Sequence, residues 1–240
     1  MKNFVVNSDL ISLNYSMNKV IIGCPVRNDF NSLKLMLNSL IESTNSFDKI
    51  VFVDGNSSDG TLEYLRYLDK LDPRIELIEA NTKTPLEAYN LIFKYALENK
   101  ADLLLTQTDV VFPKLYNRDW LKEMSLVSES EGIGAVTTYN GYGISGPDYI
   151  DGLRWLGGWC TYISLKALEK LKGYDDSFPN GYGVDVDFTY RLLKEGFDVR
   201  LINYFVDHHM ANSREHDRDP NTEQMKQDSS IYFKKKWSLQ

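Results

Sequence analysis

Short apolar runs alternate with helical patterns along the first half of the chain. The runs are rich in β-branched and aromatic residues and end at Pro, Asp or Gly, which is typical of buried strands. Strands are predicted at 19–25, 50–53, 75–78 and 102–105. Between them, apolar residues recur at helical spacing, and the first such stripe comprises Leu33, Met36, Leu37, Leu40 and Ile41. Alternating strands and helices predict right-handed βαβ units and a parallel sheet.

The second half of the chain has a different character. From about residue 130 it is rich in Gly, Tyr and Trp, which indicates shorter strands and longer loops. A helix is predicted at 189–196, ending at its terminal glycine, and a last strand at 199–206. Residues 212–229 are polar and charged without periodicity, so we expect a mobile loop there.

Composition limits the class of protein. The 240 residues, 42% hydrophobic and 25% charged, fit one large globular domain. A net charge of -7 gives no general attraction to nucleic acid. The two cysteines, Cys24 and Cys160, are interpreted as buried thiols. No apolar run is long enough for a transmembrane segment and no secretory signal is visible, so we expect a cytoplasmic location.

The segment 48–61 carries the most informative polar residues. Asp54 ends the predicted strand 50–53, and small polar residues follow it. Ligands of open α/β sheets bind at this carboxyl edge, where a carboxylate suits the donors of a ribose diol or a base N–H. The alternative is that Ser57, Ser58 and Asp59 only cap the next helix.

Other carboxylates and histidines allow two interpretations each. Asp109, beyond the strand 102–105, is either a hydrogen-bond anchor or an oxygen ligand for Mg²⁺ or Mn²⁺. Asp185 and Asp187 either cap a helix or supply a general base, and extended spacing would leave one of them facing substrate. His208 and His209 diverge if they lie in a strand, so we do not expect both to bind one ion.

Two common nucleotide-binding motifs are missing from the predicted strand ends of the first half. No G-x-G-x-x-G follows a predicted strand, which argues against a dinucleotide-binding domain. No G-x-x-x-x-G-K-[ST] is present either, which argues against a phosphate-loop NTPase.

The motifs occur in the order seen in family-2-type nucleotide-sugar glycosyltransferases, whose single-domain α/β fold is known as type A. The resemblance covers about residues 19–210. It rests on "IIGCPVRN", "VFVDGNSSDGT", "NTKTPLEAYNLIFKYA", "LLLTQTDVVFP", "GGWCTYISLKALEKLKGYDDSF", "VDVDFTYRLLKEG" and "VDHHMANS". The second of these is the most specific. The resemblance implies a mostly parallel central sheet flanked by helices.

The resemblance also implies which residues bind the donor. It makes 1–240 one domain, with a nucleotide-sugar-binding half at 19–110, an acceptor-binding half at 111–211, and a mobile loop and C-terminal segment at 212–240. The implied nucleotide-sugar-binding residues are Pro25, Asn28, Asp54, Asp59, Lys83, Asn90, Thr108, Asp109, Gly158 and Trp159. Asp54 is expected at the base or ribose.

A metal site and a base follow from the same resemblance. The family's Asp-x-Asp metal motif aligns with Gln107 and Asp109, so one carboxylate is replaced by an amide. Mn²⁺ or Mg²⁺ is expected on Asp109 and on His208, which register prefers to His209. The alternative for His208 is a contact with the donor phosphate. Asp185 aligns with the family's general base, although Val184 replaces the usual glutamate before it. Asp187 and Arg191 are expected to orient the helix.

The sequence therefore predicts a glycosyltransferase, inverting by analogy, that moves sugar from a UDP-, GDP- or dTDP-sugar to a glycan or glycoconjugate hydroxyl, as in polysaccharide biosynthesis. A retaining outcome stays open, because fold does not fix stereochemistry. So does peripheral membrane association. The alternatives are a nucleotidyltransferase, which would normally carry a glycine- and lysine-bearing loop absent from "GCPVRNDF", and a non-catalytic carbohydrate-binding relative, which Gln107 favours.

Overall fold

The four predicted strands of the first half form neighbouring parts of one sheet. The computed structural model describes residues 18–144, 148–208 and 220–239. The strands are β1 (Val20–Val26), β2 (Lys49–Asp54), β3 (Ile75–Glu79) and β4 (Asp102–Thr106). The helices between them are α1 (Phe30–Ser43), α2 (Thr61–Leu71) and α3 (Pro85–Glu98). The predicted alternation of strands and helices is confirmed over this half.

The second half adds shorter strands and further helices. In chain order these are β5 (Val110–Val111), α4 (Trp120–Ser128), β6 (Ile133–Thr138), β7 (Tyr142–Ile144), β8 (Arg154–Leu156), β9 (Cys160–Ile163), α5 (Leu165–Leu171), α6 (Val184–Lys194), β10 (Asp198–Ile202), β11 (Asp207–His208) and α7 (Thr222–Trp237). A 3₁₀ turn at Pro179–Gly181 precedes α6. The expected short strands are confirmed.

The main sheet runs through both halves in the order β10-β6-β9-β4-β1-β2-β3. All its pairs are parallel except those that β9 makes with β4 and β6. The mostly parallel sheet flanked by helices, the type A arrangement, is therefore confirmed. Two small antiparallel pairs, β5 with β11 and β7 with β8, lie apart from it.

Three element boundaries differ from the sequence prediction. The helix expected at 189–196 begins at Val184, so Asp185 and Asp187 lie inside its first turn. The strand expected at 199–206 ends at Ile202. The mobile loop expected over 212–229 is wrong from residue 222 onward, where α7 begins; the loop's first part, 212–219, and His209 lie outside the described residues.

These differences have physical reasons. Gly183 adopts φ of 72° at the start of α6, a left-handed conformation that glycine accepts and that a pattern of apolar spacing does not reveal. In α7 the buried residues are Thr222, Ser229 and Phe233, so small polar side chains hide the helical period of the buried face.

Pro25 lies inside β1 rather than ending it, since the strand continues to Val26. The Val26 carbonyl accepts from the Gly55 N–H beside β2. Alternate residues of a strand point their backbone groups to opposite neighbours, so Pro25 faces the β4 side. The ladder with β4 ends at Gly23, and the missing proline N–H therefore costs no ladder hydrogen bond.

Apolar side chains fill both faces of the sheet. Residues of α1, α2 and α4 bury one face, with Leu33, Leu65 and Trp120 wholly enclosed. Residues of α3, α5, α6 and α7 bury the other, with Phe93 and Phe233 among them. The result is three layers, helices over a sheet over helices, in which the strand ends remain at the edges.

The carboxyl ends of β1, β2 and β4 meet at one edge of the sheet. β1 lies between the other two in parallel register, so the chain leaves all three strands on the same side. The antiparallel pairing of His208 with Val110 brings β11 to this edge from the far end of the chain. In the parts of the chain that the structure describes, no helix is both long and apolar enough to cross a membrane.

Candidate active site

Asp54 organises the loop that follows β2. Its side chain is buried, and its two oxygens accept hydrogen bonds from the Ser57 backbone N–H, 2.9 Å, and the Ser57 hydroxyl, 2.6 Å. Ser57 therefore binds Asp54 instead of capping α2, whose N-cap position is Gly60. An ionised carboxylate accepts about four hydrogen bonds, so Asp54 keeps acceptor capacity beyond the two from Ser57.

The loop after β1 is tied to the loop after β2. Asn28, in a left-handed conformation with φ of 50°, donates its backbone N–H to the Ser57 hydroxyl, 2.9 Å, and accepts from the Ser58 N–H, 2.8 Å. Asp59 accepts from the Thr61 hydroxyl, 2.6 Å, and from the Phe30 N–H, 3.2 Å. The two strand ends are thus held in one fixed arrangement.

The charge of Asp59 is supported by this arrangement. Partial burial of the side chain opposes its ionisation, but hydrogen bonds from Thr61 and from the Phe30 N–H outweigh burial and lower the pKa of Asp59. A carboxylate that accepts several N–H and O–H donors is favoured in its charged form. These hydrogen bonds account for the position of Asp59 within the loop. Its contact with a nucleotide sugar stays a prediction.

Thr108 connects β4 to the same pair of loops. Its hydroxyl donates to the Asp29 carboxylate, and the Asp29 N–H bonds the Thr61 hydroxyl at 3.2 Å. Asp29 therefore lies at the meeting point of three strand ends. Sequence reasoning missed it, although its position beside Asn28 in the same polar turn could have indicated it.

Asp109 and His208 lie side by side. The Asp109 Oδ2 is 3.6 Å from the His208 Nε2, and their side chains are 13% and 18% exposed. The Gln107 Oε1 lies 3.3 Å from the same imidazole nitrogen, while the Gln107 Nε2 donates to the Tyr89 hydroxyl at 2.7 Å. Residues 101 positions apart in sequence thus place carboxylate, amide and imidazole together.

These side chains fit a Mn²⁺ or Mg²⁺ that takes part of its ligands from substrate. Two ligands at adjacent corners of an octahedron with bonds of about 2.1 Å are about 3 Å apart, close to the separation of Asp109 and His208. No cluster of three His, Cys, Asp or Glu occurs among residues 18–144, 148–208 and 220–239. Mg²⁺ commonly combines one or two carboxylates with substrate phosphates, so a closed protein cage is not required.

An aromatic wall fixes the histidine. Trp159 stacks on His208 with ring centroids 4.5 Å apart and planes at 8°, and Trp155 meets Trp159 edge to face at 5.6 Å. The Trp159 ring covers Gly157, where an added Cβ would lie 2.2 Å from it. The glycine- and tryptophan-rich stretch therefore encodes this wall.

Asp185 lies in the first turn of α6, beside Tyr149. A Cβ on Gly183 would lie 2.3 Å from the Tyr149 hydroxyl, so the glycine allows the phenol to pack against this turn. Burial raises the pKa of Asp185 to about 6, although hydrogen bonds from the Val186 N–H and its own N–H lower it. A carboxyl with this pKa is ionised at neutral pH and accepts a proton readily, as a general base must.

Tyr89 connects Asp185 to the Asp109 region. Burial raises the pKa of Tyr89; the hydrogen bond with Gln107 opposes this, while the charges of Cys24, Asp109 and Asp185 add to it. The hydrogen bond from Gln107 places the Tyr89 hydroxyl beside the Asp109 region. An added Cβ on Gly158 would be 3.3 Å from the Tyr89 hydroxyl, so Gly158 belongs to the same region.

Asp187 occupies a different environment from Asp185. It is wholly buried and accepts from Arg191 Nε, 2.9 Å, Lys236 Nζ, 2.7 Å, and Trp237 Nε1, 2.9 Å. These internal partners fix Asp187 in place, while Asp185 accepts its hydrogen bonds from backbone N–H groups.

Three other residues predicted to bind the nucleotide sugar have structural roles within the fold. Asn90 is bonded to the Tyr174 backbone, donating to its carbonyl at 3.1 Å and accepting from its N–H at 2.9 Å. Lys83 has an exposed side chain and donates its backbone N–H to Glu87 at 2.7 Å. Pro25 lies in β1 two residues beyond the β4 ladder. Their contacts with a donor remain predictions.

Comparisons with known proteins agree with the fold. Residues 21–107 match the family model of Glycosyl transferase family 2. No curated protein sequence matches the chain. The mannosyltransferase PcManGT from Pyrobaculum calidifontis, solved with GDP-Man and Mn²⁺, superposes with a TM-score of 0.61 at 18% identity, covering 79% of this chain and 56% of that one.

Two further solved structures are similar. GalNAc-T7, solved with UDP, GalNAc and Mn²⁺, gives a TM-score of 0.64 at 10% identity over 79% of this chain and 45% of that one. Glucosyl-3-phosphoglycerate synthase from Mycobacterium tuberculosis, in complex with phosphoglyceric acid, gives 0.60 at 15% identity over 93% and 81%. This chain spans about half the length of the first two. The type A fold is confirmed, and the resemblance to family-2-type glycosyltransferases is supported over residues 21–107.

Asp185→Asn should stabilise the fold at about pH 8, by about 1–3 kcal/mol. Burial raises the pKa of folded Asp185 from 3.8 to about 6, so between these pH values the folded protein holds a proton that the unfolded chain has lost. At pH 8 both states are ionised, and the wild type bears the full cost of a buried charge. Wild-type stability relative to the variant therefore falls as pH rises through this interval and is restored at lower pH. Urea denaturation across this pH range measures the difference. Asp151→Asn, in an exposed loop, is the control; an effect of Asp185→Asn that does not change with pH would contradict the burial argument.

Proposed function

We propose that this chain is a glycosyltransferase that moves a sugar from a nucleoside-diphosphate sugar to a hydroxyl of a glycan or glycoconjugate. The observation that carries the proposal is the Asp109–His208 pair at the sheet edge where Asp54 ends β2. Helix α6 is joined to this pair through β8, because the Leu156 N–H donates to Thr189 and the neighbouring Trp155 contacts Trp159, which stacks on His208. The family match over 21–107 and the nucleotide ligands named for PcManGT and GalNAc-T7 support it. Residues 19–110 would bind the donor, and 111–211 the acceptor.

Asp54 would anchor the nucleoside. Two of its acceptor positions are used by Ser57, which leaves others for a ribose diol or a base N–H. The rigid loops around Asn28 and Asp59 keep this carboxylate oriented before the donor arrives, which lowers the entropic cost of binding. UDP-, GDP- and dTDP-sugars share the ribose or deoxyribose diphosphate unit that such a site would hold.

Asp109 and His208 would hold Mn²⁺ or Mg²⁺ together with the donor diphosphate. A bound divalent cation supplies charge neutralisation to a departing nucleoside diphosphate. The Gln107 amide oxygen is an uncharged acceptor in the same place, so the pocket carries less negative charge than one with two aspartates. Stacking on Trp159 holds the imidazole plane and limits access of water on that side.

Asp185 would act as the general base. The acceptor hydroxyl oxygen forms a bond to the anomeric carbon while the bond from that carbon to the diphosphate oxygen breaks. The hydroxyl proton passes to the Asp185 carboxylate, and the electron pair of the broken bond leaves with the nucleoside diphosphate. Attack from the face opposite the leaving group inverts the anomeric configuration.

The activity is tested with a panel of nucleotide sugars and glycan acceptors. We expect acceptor-dependent release of nucleoside diphosphate, stimulated by Mn²⁺ or Mg²⁺, because a charged leaving group needs neutralisation. Release is measured by coupled assay and the glycan product by mass spectrometry. Binding without turnover would indicate the non-catalytic carbohydrate-binding alternative, and pyrophosphate production from a nucleoside triphosphate and a sugar phosphate would indicate a nucleotidyltransferase.

Asp185→Asn should abolish transfer while leaving donor affinity nearly unchanged. The amide keeps the size of the carboxylate but cannot accept the hydroxyl proton, and a lost general base costs about 10²- to 10⁴-fold. The transfer rate of the wild type should rise as pH increases through about 6, as the carboxylate ionises. Calorimetry with nucleoside diphosphate measures donor binding, and an equal loss there would mean that Asp185 is not the base.

Asp54→Ala should weaken nucleoside diphosphate binding whether or not metal is present. The change removes the acceptors that would hold the nucleoside and also releases the Ser57 loop. Ser57→Ala is the matched control, because it loosens the loop but retains the carboxylate. Calorimetric affinities equal to wild type for Asp54→Ala, or equal losses in both variants, would refute the anchoring role.

A further inference from the structure

Residues at the C-terminal end of α7 donate hydrogen bonds to Asp187 in the first turn of α6. Lys236 donates to the Asp187 carboxylate at 2.7 Å, and Trp237 donates its indole N–H to the same oxygen at 2.9 Å. Lys236 also donates to Asp175 at 2.8 Å. The bonds to Asp187 join the last turn of α7 to a residue 49 or 50 positions earlier in the chain, so local sequence does not explain them.

Asp187 accepts hydrogen bonds on both of its carboxylate oxygens. On its other oxygen it accepts from Arg191, whose remaining guanidinium nitrogens donate to the carbonyls of Leu171, 3.1 Å, and Gly173, 2.7 Å. A carboxylate with no solvent exposure needs such donors, because burying an unpaired charge is costly. Removal of one donor therefore disturbs the position of this helical turn.

The rest of α7 contacts the segments around Asp185. Ser229 donates to the Pro179 carbonyl at 2.8 Å, in the 3₁₀ turn before α6. Ser230 donates to the Asp148 carbonyl, and the ring of Phe233 meets Tyr149 edge to face at 5.2 Å. Tyr149 is the phenol that packs against Gly183 at the start of α6. One face of α7 thus supports both sides of the turn that carries Asp185.

We propose that Lys236 and Trp237 are positioning residues, which hold the first turn of α6 through Asp187 so that Asp185 faces the acceptor hydroxyl. Asp185 and Asp187 are two positions apart on a helix with 3.6 residues per turn, so they point to nearly opposite sides. A bond that fixes Asp187 on one side therefore sets the rotation of the turn and the direction of Asp185 on the other. The inference rests on Asp185 being the base.

The opposing interpretation is that α7 only stabilises the domain. Loss of the ion pair would then lower the melting temperature without changing the properties of the molecules that remain folded. The two interpretations differ in what happens to the catalytic step and to the local motion of residues 184–188 well below the melting temperature.

The test compares Lys236→Met with Lys235→Met. Both remove one positive charge from the same turn of α7, but Lys235 has an exposed side chain. Trp237→Phe removes the indole donor and keeps an aromatic ring beside Tyr190, so it serves if Lys236→Met does not fold. Lys236→Arg retains a cation and is the conservative variant expected to restore most of the loss.

Hydrogen exchange and transfer kinetics are measured on the whole chain. We expect amide exchange of 184–188 to rise in Lys236→Met and Trp237→Phe but not in Lys235→Met. We expect kcat of Lys236→Met to fall by about 10- to 100-fold, since a small misplacement of a catalytic group has effects of that size, with unchanged calorimetric affinity for nucleoside diphosphate.

Unchanged exchange at 184–188 would overturn the inference, and so would increased exchange with wild-type kcat. A wild-type protein without transfer activity, or an Asp185→Asn variant with full activity, would instead refute the proposed function, and the positioning role with it. The wild-type and Asp185→Asn assays therefore separate failure of the proposed function from failure of the positioning role.

Discussion

Parallel register between β1, β2 and β4 is the constraint on which the rest of the site depends. Because β1 pairs with both neighbours in the same direction, three loops must leave the sheet side by side. Backbone N–H groups and short side chains in those loops then satisfy one another, as Ser57 and Asn28 do. A carboxylate at such a junction is held in place before any ligand arrives. The remaining groups are added to this edge by β11 and α6.

Two aspartates in one helical turn serve different purposes because their surroundings differ. Asp187 is enclosed by Arg191, Lys236 and the Trp237 indole, so its charge is satisfied internally and it fixes geometry. Asp185 has backbone N–H partners, and burial raises its pKa to about 6. The spacing of the two aspartates does not show which of them is enclosed by charged partners. That difference comes from which side of α6 each one occupies.

The sequence alone was sufficient for the strand–helix order of the first half, since apolar periodicity is a local property. It also located Asp54 at the end of β2 and Asp109 shortly beyond β4, because polar residues after buried strands are visible in the chain. It did not show that His208 lies in β11, beyond the true end of β10 at Ile202. It did not show that Gln107 bonds Tyr89 or that Tyr149 packs on Gly183. Those contacts join distant segments, and no local pattern encodes them.

The sequence predicted a loop in the region where α7 begins. Its buried face contains Thr222 and Ser229, so the polar composition of the segment indicated a loop. The helix adds specific bonds to the apolar area that Phe233 buries: two of its serines donate to backbone carbonyls, and Lys236 meets two carboxylates. Such bonds contribute little net stability individually, but they have strict geometry. A helix attached in this way fixes the orientation of the turn that it contacts, which is why its bonds to Asp187 bear on the direction of Asp185.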